Sequence, residues 1–375
     1  MNIQPFLEPR LIGDRFEGPA IPLEFLKDFA VLEELMIEVA KWRFMKGHPG
    51  RKRSPRGFTE GITLKLTGIE KGSAKPVIDL LVAASTLFPV GNEIYFEEAR
   101  DAVIRAIGAA EKGQSITDHL PEETLGYFDR FGRSLRNGEA IEFTTPSQAA
   151  PVRLTRETRR RLVLASSKVK ELTEETTVRG TVPEADQDKM SFEVQLIDGR
   201  KVRAPMDAQH LDTILEAFAG YRSGTRILLQ GIGTFDRTER LLRFASIEHA
   251  SILDPLDICA RLEELRLLKD NWLEGQGRAP PPGGIDWLSQ TLGQRYPDDL
   301  ALPRVYPTVE GGIQAEWSIE PNEITLQIDL TSHQGQWYVL NMQTDLEETD
   351  AFNLDDSKDW ERLITRIRQT TGGAS

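Results

Sequence analysis

Cysteine is nearly absent: Cys259 is the single one in 375 residues. One thiol forms no internal disulfide and builds no multi-cysteine metal site, which points to a reducing compartment. Histidine is sparse as well. His48, His119, His210, His249 and His333 are scattered, with no partner at metal-ligand spacing and no His-Glu-x-x-His run, so no metal is expected. No Walker loop, Rossmann fingerprint or Gly-x-Ser-x-Gly elbow occurs, and no cofactor is expected. Long apolar runs are missing too: nothing approaches the roughly 18 to 20 residues of a membrane span. Met1 to Asp14 lacks a charged n-region followed by an apolar core. These absences predict a cytoplasmic protein with no membrane partner.

What is present fits a globular chain of two or three domains, with 39% hydrophobic and 28% charged residues. The net charge of −13 is concentrated at one end. Residues 1–167 hold 24 Lys/Arg against 23 Asp/Glu, residues 168–250 hold 12 against 14, and residues 251–375 hold 10 against 22. The last third therefore carries −12, a surface that would repel nucleic acid and attract a basic partner, or simply confer solubility.

Three modules are predicted, over 1–165, 168–250 and 254–375. In the first, Phe25, Phe29, Leu32, Met36 and Val39 recur at helical spacing over 22–46, with Pro22 at the start and Gly47 at the end. Two strand-like runs, Gly61–Gly68 and Ala74–Val82, follow as a hairpin turned at Glu70-Lys71-Gly72-Ser73, with Ile62, Leu64 and Leu66 on the buried face. A second helix is predicted over 93–112, with Phe96, Ala99, Val103 and Ile107 on one side. Residues 118–165 form an annex or a linker: a helix near 121–136, strand-like Glu139–Phe143 and Pro151–Leu154, then a basic helix.

Two basic clusters stand out here. Arg51, Lys52 and Arg53 belong to one that also holds Lys41, Arg43, Lys46 and Arg56; Arg159, Arg160 and Arg161 lie in the other, beside Arg156. Such concentrations can bind phosphate backbones, or stand as solvated cations near a helix C-terminus.

The middle module has the clearest fold signal. Strand-like segments at Thr176–Pro183, Ser191–Ile197, Arg200–Pro205, Thr225–Thr234 and Arg240–Glu248, with a helix over Ala208–Tyr221, follow the order of an OB-type five-stranded barrel. Another small barrel or a ferredoxin-like sheet is the alternative. Asp198-Gly199 and Asp236–Glu239 make the turns. For nucleic-acid binding its aromatic equipment is thin, namely Phe192, Phe235 and Phe244.

The terminal module is rich in tryptophan, with five of the chain's six in the last 104 residues. A helix over 256–272 is predicted to carry Leu262, Leu265, Leu268 and Trp272. The glycines and prolines of Gly275–Gly284 stop it, and Trp287 and Leu288 begin a short helix. Strands at Ile313–Ile319, Ile324–Leu330 and Trp337–Met342 form a one-sided meander, closed by a helix over 356–369. The tryptophans read as core, with an aromatic contact surface as the alternative.

Two phrases, Trp272-Leu273-Glu274-Gly275-Gln276-Gly277 and Pro307-Thr308-Val309-Glu310-Gly311-Gly312-Ile313-Gln314-Ala315-Glu316-Trp317, resemble a terminal module of bacterial three-module proteins of no established activity. Phe131-Gly132-Arg133-Ser134-Leu135 and the 170–250 barrel are similar to further parts of them. The resemblance implies an architecture rather than catalytic residues, together with proximity to toxin–antitoxin or phage-defence genes.

The expectation is thus an α+β multidomain protein: an N-terminal helix–hairpin–helix unit, an OB-like barrel and a C-terminal antiparallel meander with flanking helices. It is read as a non-enzymatic interaction component, antitoxin-like or a defence accessory. The acidic module would engage a basic protein partner through Glu310, Glu316, Trp317, Asp345, Glu347, Glu348 and Asp350. The alternative is a nucleic-acid-binding protein using the barrel with Arg51, Lys52, Arg53, Arg159, Arg160 and Arg161. A third reading is a hydrolase with Glu316 and Asp329 as paired carboxylates.

Overall fold

The computed structural model describes residues 5–18, 20–70, 74–82, 91–144 and 150–371. They form a mixed α+β, multidomain chain with eight α-helices and four sheets among the described residues. The chain divides into two compact units, Met1–Thr176 with Gln230–Glu248 and Thr177–Leu229 with His249–Ser375. No helix among the described residues is long and apolar enough to cross a membrane.

The N-terminal region follows the predicted helix–hairpin–helix order. Strands β1 (Pro5–Leu7) and β2 (Arg10–Ile12) precede α1 (Leu26–Gly47), the hairpin β3 (Ile62–Glu70) and β4 (Lys75–Val82), and α2 (Glu93–Glu111). Phe25, Leu32, Met36 and Val39 are buried against Phe96, Ala99, Val103 and Ile107, as the helical spacing demands. The hairpin turn at Lys71–Ser73 lies outside the described residues. The hairpin's buried face is only partly realised: Ile62 and Leu64 are half-buried, but Leu66 is 45% exposed. The sheet order β1-β4-β3 puts β3 on an edge, so alternation alone overstated its burial.

The predicted helix near 121–136 is broken. Helix α3 spans only Glu122–Leu125, a 3-10 turn covers Gly126–Asp129, and Gly132 then takes a left-handed φ of 77° that no helix continues through. Next come β5 (Ala140–Phe143) and β6 (Val152–Leu154), which form a three-stranded sheet with β2 in the order β2-β5-β6, and α4 (Arg156–Leu164), capped by the Thr155 hydroxyl on the Thr158 amide.

The middle strands are β7 (Glu171–Asp186), β8 (Ser191–Leu196), β9 (Lys201–Pro205), β10 (Ile227–Asp236) and β11 (Leu241–Ile252), with α5 (Leu211–Ala219) between the third and fourth. They close into a barrel in the order β10-β11-β9-β8-β7. That is the OB-like arrangement of a meander followed by two strands that swap order at closure.

The C-terminal meander is larger than the sequence suggested. Helices α6 (Ile258–Leu265) and α7 (Pro282–Arg295) lead to β12 (Arg304–Pro307), β13 (Ile313–Ile319), β14 (Asn322–Ile328), β15 (Gln334–Asn341), β16 (Leu346–Asn353) and α8 (Ser357–Thr371). The predicted 256–272 helix ends at Leu265, so Trp272 lies in a loop, and the predicted short helix at Trp287 runs for 14 residues. The acidic run 345–350 is mostly strand β16, paired antiparallel with β15. Its carboxylates hid the strand, because Glu and Asp are poor β-formers while backbone pairing to a neighbour is a tertiary matter. Trp317, Trp337 and Trp360 are buried with Leu326, Leu363 and Ile367 in one core. Each such side chain contributes about 1.5–3 kcal/mol through burial.

Candidate functional site

The polar face of the β12–β16 sheet presents an ordered array. Strand alternation sends Ile313, Ala315, Trp317, Ile324, Leu326 and Trp337 to the core. The intervening residues line up in cross-strand rows. One row runs Tyr306, Gln314, Gln327, Gln336, Ala351, and the next Arg304, Glu316, Thr325, Tyr338, Thr349. Gln327 Nε2 donates to Gln314 Oε1 at 3.1 Å, and Gln314 Nε2 donates to Glu316 Oε1 at 2.6 Å. This chain orients the amides, because each can both donate and accept.

Two open cavities lie over this face. One, of about 690 Å³, is bounded by Gln314, Thr325, Gln327, Gln336, Tyr338 and Thr349. The other, of about 620 Å³, is bounded by Arg278, Thr308, Glu310, Asp329, Thr331 and Ser332 among others. Gln327 and Gln336 line both, so the two are parts of one groove.

The two phrases singled out in the sequence meet at one end of it. In the first, the Trp272 indole donates to the Arg278 carbonyl at 3.1 Å and the Asn271 amide to the Gly277 carbonyl at 2.7 Å, closing the loop on itself. In the second, the Thr308 amide donates to the Gly312 carbonyl at 2.9 Å while the Gly312 amide donates to the Thr308 hydroxyl at 2.9 Å. A β-carbon on Gly312 would sit 2.6 Å from the Ile328 carbonyl oxygen, which is why a glycine stands there. The Arg278 amide then donates to the Val309 carbonyl at 2.9 Å, joining the phrases.

Beyond this wall the Trp287 and His333 rings stack at 3.6 Å, and His333 Nδ1 lies 2.9 Å from an Asp355 carboxylate oxygen. Asp329 accepts from the Thr331 and Ser332 amides, which hold its pKa below the ordinary carboxylate value.

The nominated partner-binding residues separate into two groups. Glu310 is exposed on the groove rim, and Asp345 stands in the turn before β16 at a φ of 51°. Glu347 faces the Tyr338 phenol and raises its pKa. Glu348 and Asp350, by contrast, point to the side of the sheet that α8 covers. Arg366 donates to Glu348 at 2.8 Å and Arg362 to Asp350 at 3.2 Å. Trp317 is not a contact side chain: it is buried, and its indole donates to the Ala301 carbonyl at 2.9 Å. Glu316 is half-buried and engaged by Gln314.

Glu316 and Asp329 do not converge. Glu316 pairs with Thr325, and Asp329 lies four residues further along, roughly 13 Å at strand rise. Paired glycosidic carboxylates work at roughly 5 to 9.5 Å. Among the described residues no group of three or more His, Cys, Asp or Glu is placed to hold a metal ion. Cys259 is half-buried, and its Sγ donates weakly to the Ser289 carbonyl at 3.9 Å.

The second basic cluster is consumed internally. Arg159 is 1% exposed, and its guanidinium donates to the carbonyls of Phe128, Asp129 and Thr173 at 2.8, 2.6 and 2.6 Å. Burial pulls its pKa down to about 10. Arg160 donates to the Arg237 carbonyl at 3.2 Å, and Arg161 to the Ala110 carbonyl at 3.1 Å and to Glu157 at 2.5 Å. Phe192 and Phe244 are buried, so neither forms a stacking platform on the barrel surface. Arg51, Lys52 and Arg53 remain exposed.

Sequence reasoning missed Gln314, Gln327, Gln336 and Tyr338. Gln314, Gln327 and Tyr338 occupy wet-face positions of predicted strands and Gln336 lies one residue before one, but their alignment depends on register. No family model, curated protein or solved structure matches this chain.

Proposed function

We propose that this chain is a non-catalytic binding protein whose C-terminal groove takes an extended, basic segment of a partner protein. The observation that carries the reading is the continuous groove over the Gln314–Gln327–Gln336 row. Its charged lining is Glu310 and Asp329 against Arg278. Glutamine amides can donate to and accept from a peptide backbone, while the carboxylates attract lysine or arginine. Support also comes from the charge of the last third, 10 Lys/Arg against 22 Asp/Glu. A cytoplasmic, antitoxin-like or defence-accessory role belongs to the same proposal, drawn from the resemblance of the two phrases.

The test is calorimetric titration of the full chain with a lysine-rich extended decapeptide and with its glutamate counterpart. The lysine peptide is expected to bind, with affinity reduced about tenfold or more in Glu310→Lys and Gln327→Ala. Equal binding of both peptides, or affinities unmoved by the two variants, would reject the groove.

A further inference from the structure

A separate cationic surface lies in the N-terminal unit, at the C-terminal end of α1 and the loop after it. Residues 41–58 hold seven cations, Lys41, Arg43, Lys46, Arg51, Lys52, Arg53 and Arg56, and no carboxylate. Among the described residues only Lys41 of the seven has an ion-pair partner, Glu38 at 2.7 Å. In a chain of net charge −13, such a run of unpaired cations calls for an explanation.

The helix dipole accounts for part of it. Lys46 sits in the last turn of α1, where a cation is favoured. Arg43 is a turn earlier and differently placed. Its Nε is buried without a hydrogen-bond partner. Burial lowers its pKa, and the like charge of Arg105 on α2 adds to that effect, outweighing the more weakly felt Glu98 and Asp101. Arg43 thus feels more positive than negative charge around it, with Glu98 and Asp101 offsetting Arg105 only in part.

Aromatic side chains hold the neighbouring cations in place. The Arg43 guanidinium lies 4.7 Å and the Lys46 ammonium 5.3 Å from the Trp42 ring centroid. Arg51 lies 5.6 Å from the Phe44 ring, and His48 stacks on Phe44 at 4.2 Å with its Nδ1 bonded to the Phe44 carbonyl. The start of the loop is thereby fixed to the helix, and Lys52, Arg53 and Arg56 follow it, all exposed.

We infer that this surface binds the phosphodiester backbone of a nucleic acid, with Arg51, Lys52, Arg53 and Arg56 tracking successive phosphates and Arg43 adding to the local positive field. A single phosphate would not employ cations spread along a helix end and a loop. A membrane surface would be expected to meet apolar anchors, and residues 48–57 contain no large apolar side chain. The binding is set by charge, and phosphate contacts carry no base identity.

Fluorescence anisotropy of a labelled single-stranded 20-mer with the full chain, over a range of salt, tests this. Affinity is expected to fall steeply with salt. Arg51→Gln/Lys52→Gln/Arg53→Gln together should weaken binding tenfold or more and reduce the log–log salt slope by about 2, at about 0.7 per lost phosphate contact. Arg43→Gln alone should reduce the slope by a further fraction of a unit to one unit. Lys269→Gln, which removes an exposed cation in the other unit, serves as the control and should leave affinity and slope unmoved. No binding at 50 mM salt would overturn the inference. So would binding unmoved by the loop variants in proteins whose circular dichroism is unchanged, or retention on anionic phosphatidylserine vesicles without oligonucleotide binding. Each of these results leaves the peptide titration of the C-terminal groove unaffected, so the two proposals fail separately.

Discussion

The backbone amide of Gly132 donates to Asp28 Oδ1 at 3.0 Å, tying the first turn of α1 to a loop 104 residues further along the chain. The Ser134 hydroxyl donates to the other oxygen of the same carboxylate. The Phe131–Leu135 phrase therefore has a structural role. It bends at Gly132, delivers two donors to a buried acid, and packs Phe131 into the core beside Phe128.

Gly132→Ala should destabilise the N-terminal unit by about 1–3 kcal/mol, the usual cost of a non-glycine residue in a strained backbone region. The residue has a φ of 77°, and its added β-carbon would meet Leu154 at 3.0 Å and Leu135 at 3.4 Å. Urea unfolding followed by circular dichroism measures the loss; an unchanged midpoint would contradict the left-handed turn.

Arg159→Ala should cost more, about 3–5 kcal/mol, because it leaves buried acceptors and nearby acids without their cation. Three carbonyls lose their donor, and Glu174, itself buried, loses a partner at 3.9 Å. The expected result is loss of soluble protein or a sharply lowered unfolding midpoint. A stable variant with weakened oligonucleotide binding would instead restore Arg159 as a surface contact.

Asp28 should impose a pH dependence of known sign. Burial, the largest influence, raises its pKa above the ordinary 3.8, against the opposing hydrogen bonds from Ser134 and Gly132. The folded protein thus holds this proton more tightly than the unfolded chain. The contribution falls as pH rises from about 3.8 through the folded value. Asp28→Asn should lack that decline. The difference between the two unfolding midpoints, followed across a pH series, isolates the group; parallel curves would show that the carboxylate is not the source.

Removing the arginines of α8 should sharpen the acidic edge. Arg362→Gln/Arg366→Gln frees Asp350 and Glu348. Since the pairs are partly exposed, stability should drop by no more than about 1 kcal/mol for each. The freed acids lie on the α8 side of the sheet and reach the lysine-rich decapeptide only through the long-range field, so its affinity should rise slightly at low salt and converge on the unaltered value at high salt. Thermal unfolding and titration at two ionic strengths check both parts.

Gly312→Ala tests the wall of the groove. Its β-carbon would press on the Ile328 carbonyl oxygen, and overpacking of that kind costs about 1–3 kcal/mol. Hydrogen exchange should quicken first at the Thr308–Gly312 turn and at the Arg278 amide bonded to Val309, with decapeptide affinity falling in step.

Local patterns carried much of this architecture. The stripe Phe25, Leu32, Met36, Val39 and the alternation of Ile313, Ala315, Trp317 each announce one element and its buried side, because the period follows from backbone geometry alone. Irregular points were less visible. Gly126 is the one break signal between Glu122 and Gly132, and because an isolated glycine is tolerated inside a helix it did not decide the matter, while the acids of β16 disguise a strand whose stability comes from β15.

By itself the sequence determined most element types, the core faces of α1 and β13, the succession of strands and helix along the barrel segment and the acidic bias of the last third. All are set by neighbours a few residues apart or by composition. Tertiary structure alone decided which charges are free. Arg159 and Arg51 are the same residue type in similar basic runs, yet one is sealed among three carbonyls and the other stands in solvent. It likewise decided that Gln314, Gln327 and Gln336 form a single row, since cross-strand register is fixed by pairing between segments that the sequence keeps apart.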